Sequence, residues 1–325
     1  MQNNNLLEIK NLRTYFYVRR YVAKAVDNVS LTIKSGETLG LVGESGCGKS
    51  VTAHSIIRLI PDPPGKIEGG DIFFDGQDLL KFSESQMRKI RGNRISMIFQ
   101  EPMTSLNPVF SVGDQVGEVI RLHQKLSRSG TRERVIEMFQ HVGIPAAEKR
   151  LSDYPHQMSG GMRQRVMIAM ALACNPKLMI ADEPTTALDV TIQAQILDLM
   201  NKLKNETGAA ILFITHDLGV IAEMAQNVAV MYAGKVMEYT DVKTIYANPK
   251  NPYTIGLLQS IPVLGRETKE ERLKTISGVV PSLLNLPAGC LYNDRCPDVF
   301  NDCHRVEPEM YPVAENHFVR CLKYA

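Results

Sequence analysis

Three features are scarce in this 325-residue sequence: excess charge of one sign, long apolar runs and a secretory leader. The 37 basic and 35 acidic residues leave a formal net charge of +2, so no global field attracts nucleic acid or anionic lipid. The N-terminal MQNNNLLEIK lacks an apolar signal core, and stretches such as VMIAMALAC from Val166 are shorter than the roughly 18 to 20 residues that span a bilayer. We therefore expect a cytoplasmic protein without a nucleic-acid partner, in which clustered cysteines favour metal or redox chemistry over disulfides.

The apolar residues that are present come in short runs separated by helical patterns. Such runs predict strands buried on both faces, and hence a largely parallel sheet in an α/β fold. Before the first run, LLEIKNLRTYF and AVDNVSLTI alternate in polarity and predict an antiparallel β layer. The predicted buried strands are LGLVG from Leu39, ISMIF from Ile95, KLMIAD from Lys177, AAILFIT from Ala209 and NVAVMY from Asn227.

The chain exceeds the about 100 to 200 residues of a typical domain, so a second region is expected. Residues 103–159 carry helical patterns without a strand, which predicts a helical subdomain inside a first domain over residues 1–248. After Asn248 prolines and charges increase and strand signals fade. We predict a small cysteine-rich C-terminal domain over residues 249–325.

The segment GESGCGKS, from Gly43 to Ser50, follows a buried-strand pattern and opens a helical one. In that context G-x-x-x-x-G-K-[ST] is a phosphate-binding loop, because its backbone N–H groups and the helix N-terminus point at phosphate oxygens. Lys49 would neutralise the β/γ-phosphates and Ser50 would bind Mg²⁺, whereas Cys47 is predicted to be a small filler. The predicted nucleotide contacts here are Gly43, Glu44, Ser45, Gly46, Cys47, Gly48, Lys49, Ser50 and Val51.

Two further motifs suit a nucleotide site. KLMIADEP ends an apolar strand in Asp182 and Glu183, of which the first could hold the Mg²⁺ shell and the second could take a proton from an attacking water. MSGGM, from Met158 to Met162, places a serine and two glycines at a helix start, which suits either a second anion-binding arrangement or simply a capped helix. A second arrangement of this kind requires a second nucleotide or a partner subunit.

These motifs, in this order, resemble those of the nucleotide-binding subunits of ATP-binding cassette (ABC) transporters over about the first 250 residues. GESGCGKS is similar to Walker A, FQEP to the Q-loop, MSGGM to the signature, LMIADE to Walker B, ALD to the D-loop and ITHD to the switch histidine. In that family two subunits stack head to tail, and the signature of one completes the ATP site of the other. The resemblance therefore implies ATP and Mg²⁺ as ligands and ATP hydrolysis as the reaction.

The resemblance also implies roles for single residues. The signature's usual final glutamine is Met162 here, which leaves any side-chain hydrogen bond at that position in doubt. For the aromatic ring that stacks on adenine, Phe16 is the first choice and Tyr21 the second. Gln100 would contact Mg²⁺ and sense the membrane partner, and Glu183 would be the catalytic base. Ser159, Gly160 and Gly161 would bind the γ-phosphate in trans. Asp189 would link the two sites, and His216 would bind the γ-phosphate and water.

Several segments resemble, more narrowly, the ATP-binding subunits of oligopeptide and dipeptide importers: QEPMTSLNP, MSGGMRQRVMIAMAL, NPYTIGLLQSIP and the later PAGC with CP and a final cysteine. That resemblance implies a peripheral protein at the cytoplasmic face of the membrane, working with a second and usually different ATP-binding subunit, two membrane subunits and an external peptide-binding protein. The alternatives are import of another solute such as nickel, or a soluble cassette acting in translation or DNA repair. The soluble alternative is disfavoured because the chain has one cassette, no sustained heptads and no basic stripe.

Four cysteines, Cys290, Cys296, Cys303 and Cys321, stand in the C-terminal region, three of them within CLYNDRCPDVFNDC. Four thiolates suit zinc, but the gaps of five, six and seventeen residues are wider than the usual two to four of structural zinc sites, and iron–sulfur motifs also have shorter gaps. The resemblance favours a [4Fe–4S] cluster on these four residues, because some peptide-importer subunits carry one there. Zinc and free thiols remain the alternatives. The expected role is to fold a tail that has little core of its own.

Overall fold

The computed structural model describes residues 4–100, 105–186, 188–261 and 275–325. Residues 103 and 104 of the predicted helical subdomain, Ala187 of ALD and residues 262–274 of the C-terminal region lie outside the described residues. The chain forms two compact units, one of Met1–Leu6, Ile33–Glu37 and Lys81–Ile214, the other of Leu7–Thr32, Thr38–Leu80 and Thr215–Ala325. Among the described residues, no helix combines the length and the apolarity that a membrane crossing requires.

The strands and helices follow the chain in this order. The described strands are β1 (Asn5–Val18), β2 (Tyr21–Lys34), β3 (Thr38–Val42), β4 (Gly65–Phe74), β5 (Gln77–Asp78), β6 (Ile95–Ile98), β7 (Leu178–Asp182), β8 (Ala210–Thr215), β9 (Asn227–Tyr232), β10 (Lys235–Asp241), β11 (Tyr311–Ala314) and β12 (His317–Val319). The described helices are α1 (Lys49–Ile56), α2 (Glu84–Ile90), α3 (Val112–Gln124), α4 (Arg128–His141), α5 (Ala147–Arg150), α6 (Gly160–Leu172), α7 (Val190–Thr207), α8 (Leu218–Met224), α9 (Val242–Ala247) and α10 (Pro252–Gln259).

The first unit contains the parallel strands β6, β7 and β8, with β7 between the other two. Every residue of β7 and β8 is buried, as expected for strands that are covered on both faces. Helices α3, α4 and α5 fill most of the stretch that was predicted to be helical. Ser111 and Ser127 cap the first two, since each side chain accepts a hydrogen bond from a first-turn N–H group.

The second unit contains two sheets. In one, β2, β1, β4 and β5 lie in that order with antiparallel pairing between β1 and β4 and between β4 and β5. In the other, β3 pairs in parallel with β9, and β10, β12 and β11 continue beyond β9 as antiparallel neighbours. The second sheet is therefore mixed.

The predicted parallel-sheet core and separate antiparallel layer are confirmed. A separate cysteine-rich C-terminal domain is not, because β12 pairs with β10, with Glu238 opposite Val319 and Tyr239 opposite Phe318. Residues on both sides of the predicted boundary near 249 thus share one sheet, and the contacts of the chain place them in one unit. The sequence pattern did not reveal this because β11 and β12 have only four and three residues.

Candidate nucleotide site and cysteine cavity

The loop from Gly43 to Ser50 connects the end of β3 to the start of α1 in the second unit. Two of its glycines are required by close backbone approaches: a Cβ on Gly43 would lie 2.2 Å from the Met231 carbonyl oxygen, and one on Gly48 would lie 2.2 Å from that of Ala25. Both residues have positive φ, of 152° and 106°. Gly48 is the N-cap of α1 and supplies no side-chain cap, so the first N–H groups of the helix suit an anionic ligand.

Lys49 and Cys47 complete this loop. The Lys49 ammonium donates hydrogen bonds to the carbonyl oxygens of Gly43, at 2.7 Å, and Glu44, at 3.2 Å. Cys47 is fully buried, and burial raises the pKa of its thiol. A buried, protonated thiol agrees with the predicted filler role.

The first unit brings Gln100 and Glu183 together. The Gln100 amide Nε2 donates to Glu183 Oε2 at 3.1 Å, and the Thr186 hydroxyl donates to the same oxygen at 2.9 Å. Glu183 has a left-handed backbone with φ of 46°, which is uncommon for a non-glycine residue and typical of functional sites. Asp182, one residue earlier at the end of β7, is buried. The two residues from the Q-loop and Walker B motifs thus share one hydrogen-bonded cluster.

The signature segment caps α6 in the first unit. The Ser159 hydroxyl accepts a hydrogen bond from the Met162 N–H group at 3.4 Å, so Met162 takes part in the cap through its backbone. Ser159 and Gly160 are exposed and Gly161 is half-buried. Asp189 similarly caps α7 by accepting from the Ile192 N–H group at 2.9 Å. Both segments therefore present a capped helix start at the surface of their unit.

The other residues that were predicted to contact the nucleotide are His216, Phe16 and Tyr21. His216 is exposed and follows β8. Phe16 lies half-buried in β1 beside Gly65, and Tyr21 is 48% exposed at the start of β2 with the Arg20 guanidinium 5.5 Å from its ring centre. Which of the two rings stacks on adenine stays a prediction.

Two side chains that hold the phosphate loop were not predicted from the sequence. Arg295 makes a bidentate ion pair with Glu44, and the Tyr253 hydroxyl accepts a hydrogen bond from the Glu44 N–H group at 3.0 Å. The hydrogen bonds that Arg295 donates to the Glu44 carboxylate and to the Tyr232 hydroxyl raise the pKa of Arg295, whereas burial lowers it. The only sequence signal was an arginine embedded between two cysteines of the C-terminal motif.

The four cysteines of the C-terminal region, Cys290, Cys296, Cys303 and Cys321, line one cavity in the second unit. The buried Arg320 lines the same cavity, together with Tyr292 and Phe300. Burial raises the pKa of Cys290 to about 11 and also raises that of Cys296 and Cys321. Within the four described ranges, no three cysteine, histidine or acidic side chains are arranged to hold a metal ion. The four cysteines thus share one cavity, whereas the described residues contain no preformed metal site.

Comparisons with known proteins identify the family of this chain. The family model described as ABC transporter matches residues 26–186, and the model described as Oligopeptide/dipeptide transporter, C-terminal region, matches residues 237–303. A Brucella ovis protein assigned to peptide import as an ATP-binding protein is 53% identical over 100% of this chain and 98% of its own length. The oligopeptide transport ATP-binding protein AppD of Bacillus subtilis is 50% identical over 99% of this chain and 97% of its own length.

Among solved structures, a dimeric ATP-binding cassette in a post-hydrolysis state bound to ADP and Pi is similar, with a TM-score of 0.66 and 29% identity, covering 73% of this chain and 98% of that one. The fold, the order of the motifs and the full-length relatives agree with one another. The chain therefore belongs to the ATP-hydrolysing subunits of ABC transporters, in their oligopeptide and dipeptide branch.

Proposed function

We propose that this chain binds and hydrolyses ATP to drive the import of dipeptides or oligopeptides through a membrane transporter. The observation that carries the proposal is the pair of family models, one over the cassette and one over residues 237–303 that is described by oligopeptide and dipeptide transport. Three Bacillus subtilis relatives, which this chain matches over 88% to 97% of their own length, are named for oligopeptide or dipeptide transport. These names favour peptides over nickel and over a nucleic-acid role.

In this proposal MgATP is the substrate. The N–H groups of the phosphate loop and the ammonium of Lys49 bind its phosphates, and Lys49 exchanges its bonds to the loop carbonyls for bonds to phosphate oxygen. Ser50, Gln100 and Asp182 contact the bound Mg²⁺, and His216 contacts the γ-phosphate. Phe16 or Tyr21 stacks on the adenine.

Glu183 is the proposed general base that takes a proton from the attacking water. The hydrogen bonds from Gln100 and Thr186 support this role, because they fix the orientation of the carboxylate through its Oε2 atom. The left-handed backbone of Glu183, with φ of 46°, also supports this role, because uncommon conformations of this kind are concentrated at functional sites.

A second ATP-binding subunit completes each site in this proposal. Ser159, Gly160 and Gly161 would bind the γ-phosphate held by the partner, and Asp189 would link the two sites. The exposure of Ser159 and Gly160 supports contact in trans, as does the dimeric state of the similar cassette. Two membrane subunits, an external peptide-binding protein and a position at the cytoplasmic face of the membrane complete the proposed assembly. The second ATP-binding subunit is either a second copy of this chain or, as the preferred alternative, a different chain.

The test is uptake of a labelled dipeptide and a labelled pentapeptide by cells that lack this chain. We expect uptake to be lost, to return with the wild-type chain, and not to return with Glu183→Gln, because the amide cannot accept the proton. Purified Glu183→Gln should still bind ATP and should accumulate as the closed dimer. Peptide uptake that persists in the deletion strain, or wild-type ATP hydrolysis by Glu183→Gln, would contradict the proposal.

We also propose that Cys290, Cys296, Cys303 and Cys321 hold a [4Fe–4S] cluster, with zinc as the alternative. The donor set fits: all four cysteines line one cavity, and the buried Arg320, which also lines it, would offset the negative charge of thiolates. When bound, the group would supply folding free energy to the tail.

Anaerobic purification tests the cysteine proposal. Brown protein with about four iron atoms per chain is expected, and Cys321→Ser should lose the iron. The matched control is Cys174→Ser, whose thiol lies in the first unit 3.9 Å from the Val119 carbonyl oxygen and should leave the iron content unchanged. Colourless protein with one zinc per chain, or protein without metal, would overturn the cluster.

A further inference from the structure

The phosphate loop is held by a side chain from the far end of the chain. Arg295 Nη1 lies 2.7 Å from Glu44 Oε2, and Arg295 Nη2 lies 3.0 Å from Glu44 Oε1. This is the planar, two-bond geometry that makes arginine–carboxylate pairs specific. Glu44 is the second residue of GESGCGKS, whereas Arg295 directly precedes Cys296 in the cysteine motif.

The guanidinium of Arg295 is fixed on all sides. Its Nε donates to the Ser277 carbonyl oxygen at 2.9 Å, and Nη1 also donates to the Tyr232 hydroxyl at 3.3 Å. Its centre lies 5.7 Å and 5.9 Å from the ring centres of Tyr232 and Tyr292. The side chain is only 4% exposed, so its charge must be balanced inside the protein. Glu44 supplies that balance.

Glu44, in turn, is tied to the centre of the phosphate loop. Its carbonyl oxygen accepts hydrogen bonds from the Lys49 ammonium at 3.2 Å and from the Cys47 N–H group at 3.3 Å. Its own N–H group donates to the Tyr253 hydroxyl at 3.0 Å. The side chain and the N–H group of Glu44 are thus held by C-terminal residues, while its carbonyl contacts the two residues that the loop needs in place. A shift of Glu44 would therefore move the position of Lys49.

We propose that Arg295 is a positioning residue of the nucleotide site, which sets the conformation of the phosphate loop through Glu44. The inference rests on the proposed role of that loop in binding ATP phosphates. It follows that nucleotide binding and the folded state of the segment around Cys290 and Cys296 are linked in both directions, because a coupling free energy between two sites is reciprocal. The C-terminal region is then part of the ATP site of its own chain.

The test is a double-mutant cycle in the full-length chain with Arg295→Met, Glu44→Gln and the double variant. Binding of a fluorescent ATP analogue is measured, together with KM and kcat. Each single variant should weaken binding and raise KM by about tenfold, a typical coupling for residues in one network, with a smaller change in kcat. The double variant should bind no more weakly than the worse single variant. Arg295→Lys should fall between wild type and Arg295→Met, because lysine keeps the charge and loses the two-bond fork.

Amide hydrogen exchange of the peptide covering the phosphate loop gives a second readout, and we expect faster exchange there in Arg295→Met. The matched control is Arg305→Met, an exposed arginine of the same region, which should leave affinity and exchange unchanged. If Arg295→Met does not fold, Glu44→Gln and Arg295→Lys carry the same test.

Unchanged nucleotide affinity and unchanged exchange in folded Arg295→Met, or single-variant effects that simply add in the double variant, would overturn the inference. Lys49→Ala separates this failure from failure of the proposed function. If Lys49→Ala abolishes ATP binding and Arg295→Met does not affect it, only the positioning role is wrong. If Lys49→Ala leaves ATP binding intact, the proposed nucleotide site itself is wrong.

Discussion

The phosphate loop and the C-terminal tail of the second unit are built in opposite ways. The loop of residues 43–50 is defined by backbone: glycines with positive φ, carbonyl oxygens around Lys49 and the open start of α1. The tail of residues 275–325 has two short strands and a few single helical turns, and buried charged side chains attach it to the rest of its unit. The loop is therefore encoded by adjacent residues, whereas the tail is encoded by pairs that are distant in the sequence.

Two such pairs anchor the tail besides Arg295. The fully buried Glu238 carboxylate accepts hydrogen bonds from His317 Nε2 at 2.7 Å and from the N–H groups of Lys250 and Asn251 at 2.7 and 3.0 Å. Arg320 donates from Nε and Nη1 to the carbonyl oxygens of Val236 and Pro308, both at 2.9 Å. Buried polar groups of this kind contribute little net stability when satisfied but cost much when one partner is removed. They therefore specify one position for the tail.

The largest expected effect is on the loop itself. Lys49→Ala removes the cation that would neutralise the phosphates, so kcat/KM for ATP should fall by at least about 100-fold, the cost of losing one preorganised electrostatic contact. The free energy of unfolding should change little, because the Lys49 ammonium contacts groups of its own loop, the carbonyl oxygens of Gly43 and Glu44 and the Cys47 thiol. Steady-state ATP hydrolysis and urea unfolding measure the two quantities. Activity within a few-fold of wild type would show that the loop does not bind the transferred phosphate.

The second largest effect is on the tail. His317→Leu removes the side-chain partner of Glu238 and leaves the buried carboxylate with only backbone donors, so the free energy of unfolding should fall by about 3 to 5 kcal/mol. Urea unfolding of the full chain measures the change.

The control for His317→Leu is an ion pair of the same tail at the surface. Lys323 Nζ lies 2.7 Å from Asp298 Oδ2, and the two side chains are 43% and 46% exposed. Lys323→Ala should therefore lower the free energy of unfolding by less than about 1 kcal/mol. Equal losses in the two variants would contradict the claim that burial, and not the ion pair as such, fixes the tail.

The smallest effect concerns the departure from the signature pattern. Met162 is bonded to the Ser159 hydroxyl through its backbone N–H group, and Met162→Gln keeps that bond. We therefore expect kcat/KM to change by no more than about twofold, as for a substitution that disturbs no buried contact. A gain of tenfold or more in ATP hydrolysis would mean that the missing glutamine side chain limits this subunit.

The contrast between loop and tail also separates what the sequence predicts from what it does not. The strand cores and the phosphate loop follow from local patterns, because period and apolarity are properties of neighbouring residues. Gln100 and Glu183 are 83 positions apart, and only the resemblance to a family assigned both of them to one site. The Arg295–Glu44 pair joins residues 251 positions apart, and the His317–Glu238 pair joins residues 79 apart. No local pattern marks either pair, since both depend on which short tail segment meets which strand or loop. The attachment of the tail to β10 was missed for the same reason.

The role of a second subunit is tested most directly by the rate of ATP hydrolysis per chain in a dilution series of the purified protein. Because the phosphate loop and the exposed signature serine are proposed to serve ATP sites on different chains, the rate per chain should fall steeply on dilution and rise when a second ATP-binding subunit is added. Glu183→Gln, mixed in excess with wild type at a limiting amount of the second subunit, should suppress the rate, because it takes partner positions from the wild-type chain. A rate per chain that stays constant across the series, and that the variant does not suppress, would contradict the shared site.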